Sequence, residues 1–293
     1  RLLRFVAPSI TMMIFTSIYG VVDGFFVSNY VGKTPFAALN FIMPFIMVLG
    51  GTGFMLGTGG SALVAKELGC GRKEKANRIF TMMIGFVVVV GLMLTALGIA
   101  FIRPIARLMG ASESIMEDCV LYGRITIAFT TAFMLQNVFQ SFLVVAERPR
   151  VGLLVVVAAG VANMVLDALF IAVFRWGLAG AALATGIGQC IGGLIPMIYI
   201  LREKNLPLHF VPFRFEARPI LQACANGSSE FMSNISTSFV SALYNMQLMR
   251  MLGEDGVSAY GVLMYVQLIF IGTAIGYSIG SAPIISYHYG AGN

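Results

Sequence analysis

Apolar runs of about twenty residues recur along the whole chain, and that is the length a helix needs to cross the hydrocarbon core of a bilayer. A segment in lipid must satisfy its own backbone hydrogen bonds, so only helices and closed barrels can span. Barrel strands alternate polar and apolar residues, and these runs do not. Of 293 residues, 58% are hydrophobic and 11% charged, with a mean hydropathy of +0.87, whereas a soluble domain carries about 25% charged residues. The pattern predicts an all-α integral membrane protein, a polytopic bundle of eight helices over residues 3–31, 36–66, 77–102, 113–146, 150–174, 177–201, 218–252 and 256–288. Several exceed the ~20 residues required and should tilt or protrude. Turn chemistry separates them at Gly32-Lys-Thr-Pro35, Gly69-Cys-Gly71, Arg103-Pro104, Glu147-Arg-Pro149, Arg175-Trp-Gly177 and Gly253-Glu-Asp-Gly256.

The chain starts Arg1-Leu-Leu-Arg4 and runs straight into an apolar segment with no small-residue cleavage site, so no signal peptide is expected. A cytoplasmic N-terminus places thirteen Lys and Arg inside, among them Arg72, Lys73, Lys75, Arg78 and Arg214. Lys33, Arg103, Arg107, Arg175 and Arg250 then fall outside, with Arg124 near the outer start of the fourth helix. That asymmetry matches the positive-inside rule and predicts a multi-pass protein of the inner (cytoplasmic) membrane. The same rule accounts for the net charge of +6 without a nucleic-acid partner. Tyr30 and Trp176 fall near the outer interface, where either amphipathic anchoring or ordinary packing explains them.

Cys70, Cys119, Cys190 and Cys224 have no disulfide or ligand spacing, and His209 and His288 stand alone, so neither metal nor other cofactor is expected. No nucleophile–base pair is visible, which argues against an enzyme. Gly50-Gly-Thr-Gly53 and Gly57-Thr-Gly-Gly60 lie inside an apolar helix without a flanking strand and do not form a phosphate cradle. Their spacing of four suits close helix packing instead.

An internal repeat is present. Gly60-Ser-Ala62 and Gly69-Cys-Gly71 recur as Gly280-Ser-Ala282 and Gly290-Ala-Gly292, and Gly32, Gly53 and Gly57 correspond to Gly253, Gly272 and Gly276. Helices seven and eight therefore read as a second copy of helices one and two. Six helices precede the restart, so both copies enter from the same side, as a parallel repeat does. The reading is an N-lobe of helices 1–6 over residues 1–201, a basic cytoplasmic linker over 202–217, and the start of a C-lobe over 218–293, with about four more helices expected beyond.

Three of the thirteen acidic residues, Asp23, Asp167 and Glu230, are embedded in apolar sequence. A carboxylate there costs a few kcal/mol on insertion scales and marks an ion or substrate path or an interhelical partner. Asp23 lies seven residues before Tyr30 and Asp167 eight before Arg175, so at ~1.5 Å per residue both sit roughly 10–12 Å below the outer surface. Asn163 shares a face with Asp167, and Thr185 descends to the same layer on helix six. The four offer oxygen ligands to a hard cation such as Na⁺, or a carboxyl that keeps a proton because burial disfavours its charged form. No basic residue inside the first six helices neutralises the pair. The alternative is that both acids serve as hydrogen-bonding glue between helices.

Glu230, beside Ser228, Ser229, Ser233 and Asn234, is a candidate for cationic substrate or a second proton, or else structural. Gln136, Asn137 and Gln140 on helix four, and Tyr244, Asn245 and Gln247 on helix seven, are candidate cavity liners, with packing as the alternative. The 23 Phe and 18 Met suit varied flat cations where they face a cleft.

Several fragments resemble one family. They are Tyr19-Gly-Val-Val-Asp23, Val31-Gly32, Ala37-Ala38, Gly59-Gly-Ser-Ala62, Gly69-x-Gly71, Gln140 ahead of Glu147-Arg-Pro149, Asn163-x-x-x-Asp167, Gly180-Ala-Ala-x-Ala184-Thr185, Asn226-Gly-Ser-Ser-Glu230 and Ile284-Ile-Ser-Tyr-His-Tyr-Gly290. Together they span essentially the whole chain and are similar to the multidrug and toxin extrusion (MATE) transporters, in particular the bacterial DinF-like and MepA-like branch. The resemblance implies twelve helices in two six-helix lobes, and an antiporter that exports organic cations or other amphipathic drugs in exchange for H⁺ or Na⁺. It also implies that Asp23, Asn163, Asp167 and Thr185 form the N-lobe cation site. At Glu230 the sequence departs from other branches, which place a helix-seven carboxylate at a different offset. No obligate protein partner is implied beyond the lipid bilayer. The second reading, a lipid-linked precursor flippase of the same superfamily, would require Arg or Lys in the cleft to meet a pyrophosphate, and the embedded charges here are acidic.

Overall fold

The computed structural model describes residues 2–203 and 205–292, without the side chains of residues 2–5 and 269. Of the charges expected on the cytoplasmic side, Arg1, the side chain of Arg4 and Lys204 lie outside the described residues, as does Asn293. Among the described residues there are nine α-helices, two π-helical stretches and no strand. The helices are α1 (Leu2–Phe26), α2 (Lys33–Gly69), α3 (Lys73–Met109), α4 (Glu113–Ala128), α5 (Thr130–Val145), α6 (Pro149–Asp167), α7 (Gly177–Arg202), α8 (Ala217–Asn226) and α9 (Ser228–Ala291). π-Helical turns extend α1 over Val27–Val31 and α6 over Ala168–Val173.

The boundaries correct the eight-helix reading at several points. The expected fourth helix breaks at Phe129 (φ −97°, ψ 7°), and α4 and α5 meet there at 53°. The expected seventh helix divides at Gly227 into the short α8 and the start of α9. Arg103-Pro104 does not end the third helix, which runs through Pro104 to Met109. Pro8, Pro44, Pro196 and Pro283 are likewise inside helices, because in a bundle neighbouring groups take up the freed carbonyls.

The α9 helix consists of two arms that meet at Gly253, whose φ of 66° and ψ of −151° are not helical. Tyr244 and Tyr260 stack across that corner with ring centroids 5.4 Å apart. Sixteen residues of straight helix would put them roughly 24 Å apart, so the arms fold back on each other. Positive φ at this position suits glycine alone without strain.

Five helical segments are long and apolar enough to cross a membrane: Val6–Val31, Lys33–Gly69, Lys73–Met109, Pro149–Val173 and Gly177–Arg202. The bent α4–α5 pair passes the same test, as does α9. Large side chains such as Leu92, Met93, Leu97 and Phe101 on α3 are more than half exposed, as lipid-facing residues are.

Helix approach depends on missing Cβ atoms, because in lipid the association of helices rests on packing rather than on a hydrophobic drive. A Cβ on Gly69 would collide with the carbonyl oxygen of Tyr287, and one on Gly290 with that of Lys66. Gly51 faces Asn234 while Gly272 faces Met13, and Gly59 faces Gly227 while Gly280 faces Val6. In each pair of contacts the partners exchange roles under a shift of 221 residues. The repeat seen in the sequence is thus a pseudo-two-fold relation in space, with α2 and the second arm of α9 lying along its axis.

Two large apolar clusters, with a small third of Met13, Val144 and Ile279, fill the bundle among the described residues. One gathers Phe80, Met83, Phe139 and Phe142 with Leu206, Leu208 and Ile220, and the other Phe36, Phe41, Ile102, Ile115 and Tyr122. The second surrounds the layer that holds Asp23.

Candidate functional site

Asp23 lies one turn before the π-helical stretch that ends α1, and Asp167 is the last residue before the one that ends α6. π-Turns of this kind insert a residue into a helix and occur often at functional sites. Close packing then brings the two helices together. A Cβ on Gly160 of α6 would stand 2.8 Å from the Tyr19 ring, so α1 and α6 meet one turn from Asp23. Gly188 of α7 is similarly close to the Ala159 carbonyl and to Asn163.

The result joins the residues singled out above. Asp23 is 7% exposed and Asp167 is fully buried. Their carboxyl groups are neighbours, each close enough to bear on the charge of the other. Asn163, 2% exposed, directs Nδ2 to Thr185 Oγ1 at 3.5 Å. Both Asp167 oxygens, Asp23 Oδ1 and Asn163 Oδ1 are buried without a hydrogen-bond partner. Among the described residues no Lys, Arg or His forms an ion pair with either acid. Two carboxylates so close cannot both be ionised without compensation, so they can share a proton or hold a cation between them. No group of three or more His, Cys, Asp or Glu fit for a metal occurs among the described residues.

Gln136 belongs to the same neighbourhood. It is buried on α5, packs where Gly192 of α7 lacks a side chain, and lies near Tyr19. Gln140 follows one turn later, 5% exposed, with Oε1 unpartnered. Both glutamines are thus enclosed in the bundle rather than set along an open cleft.

Glu230 and Tyr244 are not brought to this cluster. Phe231 and Asn234, beside Glu230, face Gly51 of α2. Tyr265, which flanks Asp23, packs on Phe36, fifteen residues away along α2 or roughly 22 Å. Tyr244 is 56% exposed and stacked on Tyr260.

Two tyrosines absent from the sequence reading complete the surroundings. Tyr122 of α4 is fully buried, its hydroxyl unpartnered, and near enough to Asp23 and Asp167 to feel their charge. Tyr265 comes from the second arm of α9, and its ring occupies the space where Gly24, next to Asp23, has no Cβ. The cluster is therefore touched from the second repeat as well as the first.

The MatE family model matches residues 8–169, a stretch that contains Asp23, Asn163 and Asp167. The chain belongs to the MatE family. It is 22% identical over 98% of its length to the multidrug export protein MepA of Staphylococcus saprophyticus, and 24% identical over 98% to MepA of Staphylococcus haemolyticus. In each case the chain spans 64% of the relative's length. The fold is also that of the MATE multidrug transporter DinF-BH, solved in complex with the drug rhodamine 6G, with a TM-score of 0.91 at 24% identity. That match covers 99% of this chain and 65% of the other. As a MatE family member with several long apolar helices, the protein is a multi-pass membrane protein.

Proposed function

We propose that this MatE protein takes part in cation-coupled export of organic cations and other amphipathic drugs by alternating access. The observation that carries the reading is the buried pair Asp23–Asp167, two carboxyl groups from separate helices with no cationic side chain to balance them. Binding H⁺ or Na⁺ there removes the repulsion and lets α1 and α6 close on each other. Coupling follows only if the inward-open and outward-open packings differ in affinity for that cation. Tyr265 supplies a reason for a difference, because it reaches the pair from the second repeat and must move when the two halves separate. Asn163 and Thr185 serve as oxygen ligands or proton partners, and Gln136 orients Tyr19.

In this reading residues 1–201 form the N-lobe, 202–217 the cytoplasmic linker, and 218–293 belong to the C-lobe, with the N-terminus in the cytoplasm of a bacterial cell. Export of drugs by the MepA relatives supports the substrate class. Glu230 and Tyr244, remote from the pair, serve the substrate path. The test is dye efflux from energised cells that express the full-length Asp23→Asn and Asp167→Asn proteins. Export should fall to the vector background, and unchanged export at normal expression would remove the proposed site.

A further inference from the structure

The linker is a built structure, and what it builds is a basic cleft. Its backbone amides at His209 and Val211 donate to Asn77 Oδ1 (2.9 Å) and Thr81 Oγ1 (3.1 Å), side chains one turn apart on α3. Leu206 and Leu208 are buried, and the Phe210 ring packs on Phe80 with centroids 5.0 Å apart. The segment then turns outward, and Phe213 reaches the notch at Gly85. Between this strap and the start of α3 lies a cavity of about 1100 Å³.

Its lining divides by depth. Arg72, Lys73, Lys75, Arg78 and Arg214 supply five cations, against the carboxylates of Glu74 and Glu216. Two of the cations are fixed in place. Glu67, only 6% exposed at its side chain, holds Arg72 Nε at 2.7 Å and Lys75 Nζ at 3.0 Å. Helix α3 also begins with no side chain capping its first amides, which favours an anion there. Deeper in the cleft the walls are Ile79, Met82 and Phe213.

Position along α3 converts this division into a membrane depth. No charged residue occurs between Arg78 and Arg103, a stretch of 24 residues or roughly 36 Å. That exceeds the hydrocarbon core of ~30 Å, so Arg78 stands at the headgroup level. Gly85, where Phe213 lodges, is seven residues or roughly 10 Å deeper, among the acyl chains. A cleft cationic at headgroup depth and apolar below it fits an amphiphile with a negative head.

We propose that this cleft binds the phosphodiester headgroup of an anionic phospholipid, with Arg78 and Arg214 on the phosphate and Met82 and Phe213 beside the acyl chains. The lipid fastens the linker to α3. This assignment needs no assumption about transport, since it is read by binding. Both Arg78 and Arg214 are exposed and neither makes an ion pair among the described residues, so replacing them should leave the fold intact.

The experiment is native mass spectrometry of the full-length protein released from nanodiscs of phosphatidylglycerol mixed equally with phosphatidylcholine. The wild type should retain phosphatidylglycerol at least tenfold over phosphatidylcholine, and Arg78→Gln/Arg214→Gln should lose the preference. Arg107→Gln, an exposed cation at the far end of α3, should keep it. Millimolar inorganic phosphate should not displace the lipid. Equal retention of both lipids by the wild type, or an unaltered preference in the double variant, overturns the proposal. Displacement by inorganic phosphate overturns the lipid assignment in favour of a soluble anion. Should the double variant fail to express, Arg214→Gln alone answers, because Arg214 is exposed and makes no ion pair among the described residues.

Discussion

Thr34 Oγ1 donates a 2.6 Å hydrogen bond to Glu254 Oε2, joining the start of α2 to the corner of α9. Glu254 Oε1 also accepts from Ser114 of α4 at 2.7 Å. Thr34 and Asp255, like Lys33 and Glu254, are 221 residues apart, so this contact lies on the same pseudo-two-fold axis as Gly69 and Gly290. The companion pair Lys33–Asp255, at 3.4 Å and nearly 80% exposed on both sides, adds little, as solvated pairs do. The axis is thus closed at one end by Glu254 and at the other by glycine packing. The alternating access proposed above requires one of these ends to part.

A Thr34→Cys/Glu254→Cys pair tests that requirement. Bridging the two thiols in native membranes with a short, reducible methanethiosulfonate reagent should depress dye export by about tenfold or more, and dithiothreitol should restore it. Full export with complete cross-linking would show that the Thr34–Glu254 seam does not move.

Helix contact along the axis predicts a pattern of stability effects. Gly59→Ala and Gly227→Ala place a methyl group against the backbone of the facing helix, at Ala223 and Met55 respectively. Overpacking of this kind costs about 1–3 kcal/mol. Gly20→Ala has nothing within 4 Å of the new Cβ and should be neutral or gain about 0.5–1 kcal/mol, the usual helix preference for Ala. Thermal unfolding of the detergent-purified proteins should rank Gly20→Ala above wild type or equal to it, and both other variants below.

Tyr122 offers a way to separate stability from coupling. Its buried hydroxyl lacks a partner, and such a group costs about 1–3 kcal/mol when left unsatisfied. Tyr122→Phe should therefore fold as well as the wild type or better. If the hydroxyl serves the cation held by Asp23 and Asp167, the same variant should need about tenfold more driving ion for half-maximal export, equivalent to ~1.4 kcal/mol. An unchanged ion dependence would assign Tyr122 to packing alone.

The sequence exposed the acids because a carboxylate in an apolar run is conspicuous whatever its surroundings, and helical rise alone put Asp23 and Asp167 in one layer. The glycine repeat was equally legible, since Gly69 and Gly290 carry the same neighbours in the chain. Other features had no local signal. The π-turns after Phe26 and Asp167 leave hydropathy unchanged, and the break at Phe129 has no glycine or proline beside it. Tyr122 and Tyr265 look like any membrane tyrosine until the fold sets them near Asp23. Glu67 sits at a helix end among Lys and Arg and reads as a solvated loop acid, yet it is buried and anchors Arg72 and Lys75. Pro104 misled in the opposite sense, because a residue that breaks helices in water is tolerated inside a bundle.

The most direct test is substrate flux in proteoliposomes of the full-length protein, with H⁺ and Na⁺ gradients imposed separately. One of the two gradients should drive wild-type export. Asp23→Asn and Asp167→Asn should abolish the driven component while substrate binding in detergent persists. Driven export at the wild-type rate in either variant would contradict the assignment of the pair as the coupling site.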